Sequence, residues 1–204
     1  MKIYLLISSL LLFSILILST PVLKNQPKTD RKPAVSGTVL QANQEQIKRG
    51  EHLVLTSACH DCHTPKKMTD KGPVMDYDRA LSGHPANEPA PDVNRKEMEQ
   101  KGLIVTSTLT SWVGPWGISY AANLTSDATG IGKWTEKQFF TAIREGKYKG
   151  LENSRMLLPP MPWDMYKNMT DEELRAIFAY LKSTKPIKNV VPAPTPPVTA
   201  ASGK

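Results

Sequence analysis

Five consecutive residues, Cys59-His60-Asp61-Cys62-His63, hold both cysteines of the chain and two of its four histidines. Thiols three positions apart can reach adjacent corners of one macrocycle, and an imidazole next in line is then held beneath a metal at its centre. Cys-x-x-Cys-His is the attachment signature of a c-type haem: both thiols add across porphyrin vinyl groups and the His supplies one axial bond to iron. One covalent haem c is therefore expected, with Cys59 and Cys62 as attachment points and His63 as a metal ligand.

Three other chemistries compete for the same residues. A thioredoxin-like redox pair opens a helix after a buried strand, whereas Glu51 to Ala58 reads as an amphipathic helix. A structural zinc site needs four ligands, and beyond Cys59, Cys62 and His63 only His52, His60 or His84 remains. Composition alone leaves a simple disulfide open.

The ligand on the opposite face decides between an electron carrier and a reactive haem. Met68 follows His63 too closely to cross to that face, and Met75 and Met98 sit in a polar insertion. Met156, Met161, Met165 and Met169 cluster later. Met161 is set between prolines in Leu158-Pro159-Pro160-Met161-Pro162-Trp163, where the backbone is stiff and lacks competing donors. A rigid loop presents a weakly binding thioether at little entropic cost. Met161 is the expected second metal ligand, and His84 is the residue that could rival a Met.

Helical elements must position these groups. Ile47, Gly50, Glu51, Val54 and Leu55 fall at helical spacing, so a helix over about 43–57 delivers Cys59. Gly50 costs about 1 kcal/mol relative to Ala, which points to another backbone packed against it. The partner expected is the last helix, opened by the capping-box pattern Thr170-Asp171-Glu172-Glu173 and carrying Leu174, Ile177, Phe178 and Leu181 on one face. A third helix runs from Thr135 to Arg144, capped by Thr135 with Gln138, buried through Phe139, Ala142 and Ile143, and stopped at Gly146. No strand alternation of any length competes. Residues 64–120, rich in Pro and Gly, read as a long loop wrapping a large ligand, with a short polar helix over Asp92 to Gln100 and an extended stretch over Leu103 to Leu109.

The 204 residues carry a net charge of +7, but residues 50–181 hold 15 Lys and Arg against 17 Asp and Glu. The basic excess lies in the flanks, which argues against nucleic-acid binding and leaves a membrane surface as one partner for the tethers. Ile3 to Leu18 is apolar apart from Ser8, Ser9 and Ser14, so residues 1–23 read as a membrane anchor or signal sequence. Ser19-Thr20-Pro21 is a poor cleavage site, which favours an uncleaved anchor. Lys24, Lys28, Arg31 and Lys32 follow the run, and by the positive-inside rule they would hold the body in the cytoplasm. Residues 24–46 read as a flexible linker and 184–204 as a disordered Pro-rich tail, leaving 47–183 as one domain.

The motifs Arg49-Gly50-Glu51, Cys59 to Pro65, Asn123-Leu124-Thr125 with Thr129-Gly130-Ile131-Gly132, Pro160-Met161-Pro162-Trp163 and Leu174 to Leu181 resemble those of bacterial class I cytochromes c. The likeness is strongest to the larger monohaem domains of the dehydrogenase-associated and respiratory type, and it covers most of residues 47–183. It implies an all-α fold of three to four helices around the haem, with thioethers at Cys59 and Cys62 and iron ligation by His63 and Met161. Pro65 would orient the His63 loop, with its own or a neighbouring carbonyl accepting the second imidazole N–H. Asn123, Trp116 and Arg155 are candidate propionate donors. The function implied is one-electron transfer rather than catalysis, with a dehydrogenase, quinol-oxidising complex or terminal oxidase as redox partner. A haem-based sensor with a labile sixth site is the alternative. The resemblance also implies haem attachment on the outer, periplasmic side of the inner membrane, against the charge rule, with the N-terminal helix as anchor. The 98 residues from His63 to Met161 exceed the separation in compact members.

Overall fold

The computed structural model describes residues 36–198. Helix α1 (Ser36–Thr56) runs into a break at Ala58, whose left-handed backbone redirects the chain into the single turn of α2 (Cys59–His63). Two antiparallel hairpins follow, β1 (Lys66–Thr69) with β2 (Gly72–Met75) and, after α3 (Arg95–Lys101), β3 (Ser111–Gly114) with β4 (Gly117–Tyr120). Then come α4 (Glu136–Glu145), the one-turn α5 (Trp163–Tyr166) and α6 (Asp171–Ser183).

The two long helices after the insertion form where their caps dictate. Thr135 accepts from the Gln138 backbone N–H, and the Gln138 side chain accepts in return from the Thr135 N–H; Thr170 and Glu173 repeat the arrangement at α6. Each box satisfies two orphan donors of the first turn. Gly146 ends α4 in the left-handed region, as expected of a C-terminal glycine.

Helices α1 and α6 pack directly, at Gly50. A Cβ at that position would collide with the Ala176 carbonyl, so only glycine permits the approach. Around the crossing, Val54, Leu81, Ile131, Phe139, Leu174, Ile177 and Leu181 make a buried cluster, with Cys59 packed against it. Phe139 and Phe178 stack with ring centroids 5.2 Å apart. Leu55, expected on the same buried face as Val54, is exposed instead.

Three expectations need correction. The domain is not purely α-helical, because the 64–120 segment folds into two short hairpins turned at Gly72 and Gly117, both at positive φ. Strands of four residues are too short to display a two-residue alternation, and β3 is buried throughout. The flanks are more ordered than their composition suggests: α1 begins at Ser36, inside the stretch read as linker, and the tail is laid against the body as far as Val198. Within that tail, Thr195 and Ile118 exchange N–H to O bonds of 3.0 and 2.8 Å.

The third correction concerns location. Among the described residues no helix is long and apolar enough to cross a membrane. Residues 1–23, read as an anchor or signal, lie outside the described residues, as do residues 199–204 of the tail. Placement at the periplasmic side of an inner membrane through an anchoring helix is accordingly set aside.

Candidate functional site

The turn α2 puts Cys59, Cys62 and His63 on one side of a short helix, behind the end of α1. Both thiols are unpaired and half-buried. Burial is the main cause that pushes the Cys59 thiol up to about 11, and it raises Cys62 as well, with Asp61 adding to both. At neutral pH both sulfurs therefore keep their protons.

His63 is buried, and its Nδ1 lies 2.7 Å from the carbonyl oxygen of Ala122. A carbonyl only accepts, so Nδ1 carries the proton and donates. The lone pair is thereby left on Nε2, which has no hydrogen-bond partner among the described residues. Burial lowers the pKa of His63, against the opposing pull of the Ala122 bond, and keeps the ring neutral. A neutral imidazole with a fixed tautomer and an uncommitted Nε2 is the form that binds a metal, and its carbonyl partner raises its basicity. The donor set thus fits a covalently held haem: two protonated thiols and one ligand nitrogen on a single turn.

The environment of that turn removes the competing chemistries. It follows a helix rather than a strand, against a thioredoxin-like pair. Among the described residues no group of three or more His, Cys, Asp and Glu side chains is placed to hold a metal ion, against zinc. His60 bonds Thr64 Oγ1 through Nδ1, at 2.9 Å. His84 has both nitrogens engaged, Nδ1 with Thr110 Oγ1 at 2.9 Å and Nε2 with the Glu88 carbonyl at 2.8 Å, so it offers no ligand atom.

Met161 is half-buried in a braced loop. Its N–H donates to the Leu158 carbonyl and its own carbonyl accepts from Trp163. Ser119 Oγ donates to the Pro159 carbonyl at 2.6 Å and itself accepts from the Trp116 indole at 3.0 Å. Five residues beyond Met161, Tyr166 donates its hydroxyl to the Ser57 carbonyl at 2.7 Å, just before the cysteine turn. Burial, with further contributions from Cys59 and Cys62, pushes the Tyr166 phenol up to about 12. The Met161 segment and the cysteine turn are joined through this bond.

The three propionate candidates have protein partners. Asn123 donates to Thr129 Oγ1 and the Ile187 carbonyl and accepts from Thr125, which makes it an internal bracket. Trp116 is committed to Ser119, and Arg155 lies over the Tyr148 ring while donating to the Met156 carbonyl. The Pro65 carbonyl accepts from Asp76 N–H instead of from His63. Ala122 and Tyr166 escape sequence reasoning. Ala122 acts through its backbone and leaves no sequence mark beyond its place beside Asn123, and Tyr166 has only its nearness to Met161.

The cytochrome c family model matches residues 47–185. The fructose dehydrogenase cytochrome subunit of Gluconobacter japonicus is 27% identical over 93% of this chain and 30% of its own length. The gluconate 2-dehydrogenase cytochrome c subunit of Pantoea cypripedii is 30% identical over 69% of this chain and 23% of its own. The cytochrome c subunit of the quinone-dependent alcohol dehydrogenase of Gluconobacter oxydans is 28% identical over 72% of this chain and 23% of its own. The chain thus spans less than a third of the length of these relatives. With more than half of its residues matched by the family model, the chain belongs to the cytochrome c family and is an electron-transfer c-type cytochrome with a covalently bound haem c.

Proposed function

We propose that this chain is a one-electron carrier in which Cys59 and Cys62 would form the thioethers and His63 and Met161 would ligate the iron. The observation that carries the reading is the bond from His63 Nδ1–H to the Ala122 carbonyl, which leaves Nε2 as the only ring atom able to bind a metal. When bound, the haem iron supplies the one-electron change between its ferric and ferrous states.

The chain's own residues hold that centre still. Ala122 sets the ring of His63, the Leu158 to Trp163 bonds brace the Met161 loop, and Tyr166 joins that loop to the cysteine turn. A thioether opposite an imidazole raises the potential relative to two imidazoles. With His63 and Met161 both committed to the iron, a substrate would find no ligand position there, so oxidation of substrate would belong to a partner. The relatives named above are cytochrome subunits of dehydrogenases, and a dehydrogenase is accordingly the proposed electron donor.

Far-red absorbance of the oxidised protein tests the ligand set. The wild type should show a Met-to-iron charge-transfer band that is absent in Met161→Ala and retained in Met156→Ala and Met165→Ala. A wild type without the band, binding carbon monoxide rapidly once reduced, has a labile sixth site and is a sensor rather than a carrier.

A further inference from the structure

Two chain strips flank His63. Residues 81–84 and 121–124 run antiparallel, with Leu124 N–H donating to the Leu81 carbonyl at 2.8 Å and His84 N–H to the Ala121 carbonyl at 2.9 Å. His63 is held by both strips at once. Its backbone carbonyl accepts from Gly83 N–H at 2.8 Å, and its ring donates to Ala122. Gly83 has φ +78, and a Cβ there would lie 2.6 Å from the Ala122 carbonyl oxygen, so the position of that oxygen is tied to the first strip.

One residue of the tail clips the two strips together. Asn189 Nδ2 donates to the Ser82 and His84 carbonyls, on either side of Gly83, at 2.7 and 2.8 Å. Its Oδ1 accepts from Ala86 N–H at 3.0 Å. From the same residue, the backbone N–H donates to Thr129 Oγ1 at 3.0 Å and the carbonyl accepts from Asn123 Nδ2 at 3.4 Å, next to Ala122. Asn189 lies beyond residues 47–185, the stretch matched by the family model, so the clip is an addition outside the matched core.

We propose that Asn189 is a positioning residue for the axial ligand: by locking the 81–84 strip to the 121–124 strip it fixes the Ala122 carbonyl against His63 Nδ1–H and thereby helps set the reduction potential. The inference rests on the reading of His63 as iron ligand. A firm Nδ1–H···O bond makes the imidazole a stronger electron donor and favours the oxidised metal. Loss of the clip lets the carbonyl drift, weakens that donation and favours the reduced form.

Redox titration of the full-length, haem-loaded protein tests the idea. In Asn189→Ala the equilibrium at fixed applied potential should move toward the reduced form by roughly threefold to tenfold, tenfold being about 59 mV for one electron. Asn189→Leu, uncharged and of similar size but without either donation, should move the same way and serves if the alanine variant fails to mature. Thr135→Ala, which removes the N-terminal cap of α4 and makes no hydrogen bond to either strip, should lower the unfolding temperature and leave the midpoint where it is. An unchanged or lowered midpoint in both Asn189 variants, or an equal rise in Thr135→Ala, overturns the clip and leaves the ligand reading standing. A His63→Ala variant that retains its covalent haem and an unaltered low-spin spectrum overturns the ligand reading, and the clip with it.

Discussion

Gly50 of α1 rests on the carbonyl of Ala176 of α6, and the site leaves no room for a side-chain carbon. The contact is backbone to backbone, in the middle of two helices that carry much of the buried cluster. Gly50→Ala must push the helices apart or bend one of them. Overpacking of this kind costs about 1–3 kcal/mol, more where backbone rather than a flexible side chain must yield. Denaturant unfolding of the loaded protein should show a lower midpoint with unchanged slope, and a stability gain from the better helix former would contradict the packing.

His84 should make the fold acid-sensitive. Burial lowers its pKa from the ordinary 6.5, so the folded chain holds it neutral while the unfolded chain takes up a proton near 6.5. The unfolded state then binds more protons, and stability rises with pH through that window. Stability from this residue is complete above about 6.5 and is lost as pH falls toward the depressed folded value, with a slope of at most about 1.4 kcal/mol per pH unit. His84→Gln should flatten the curve there. Asp76, held below its ordinary 3.8 chiefly by its hydrogen bond from Arg79, contributes stability that is lost only under more acid conditions, so the two effects separate in a pH titration of the unfolding midpoint.

Asn123 is buried and serves five bonds, two of them into the tail. Asn123→Ala leaves the Thr125 N–H without its acceptor and the Ile187 carbonyl without this donor. Each buried polar group so orphaned costs about 1–3 kcal/mol. Thermal unfolding should register that loss, and limited proteolysis should cut the 185–198 segment sooner than in the wild type. A stable variant with a protected tail would show that the tail is held by other contacts.

The paired capping boxes offer an internal comparison. Thr170→Ala and Thr135→Ala should each cost about 0.5–2 kcal/mol, since each removes the acceptor for a first-turn N–H. The three acids in the first turn of α6 add a favourable interaction with the helix dipole that α4, with Glu136 alone, has less of. Raising the salt concentration should therefore weaken α6 more than α4, measured by amide exchange in the two helices.

Much of this architecture is legible in the sequence because its signals are local. The capping boxes and the Gly146 stop each depend on residues within one helix, a glycine in mid-helix marks the close approach at Gly50, and Cys59, Cys62 and His63 occupy one turn. What stays hidden is non-local or belongs to the backbone. The acceptor for His63 is a carbonyl 59 positions along the chain, and any residue type at 122 would supply it. The tail reads as disordered because its prolines remove donors. Its described part is held because its carbonyls at Ile187, Thr195 and Pro196 accept from the body, its N–H groups at Ile187, Thr195 and Val198 donate to it, and the Asn189 side chain adds three more bonds. The hairpins escape notice because four-residue strands carry no period.

The Asn189 clip gives the site an order in time. A chain made from its N-terminus presents Cys59, Cys62 and His63 first, and Asn189 emerges 126 residues later, about 6–25 s at 5–20 residues per second. During that interval the attachment turn exists while the carbonyl that orients its imidazole is either unmade or unclipped. Capture of the two thiols and fixing of the ring are therefore separable events, and the second waits for Asn189.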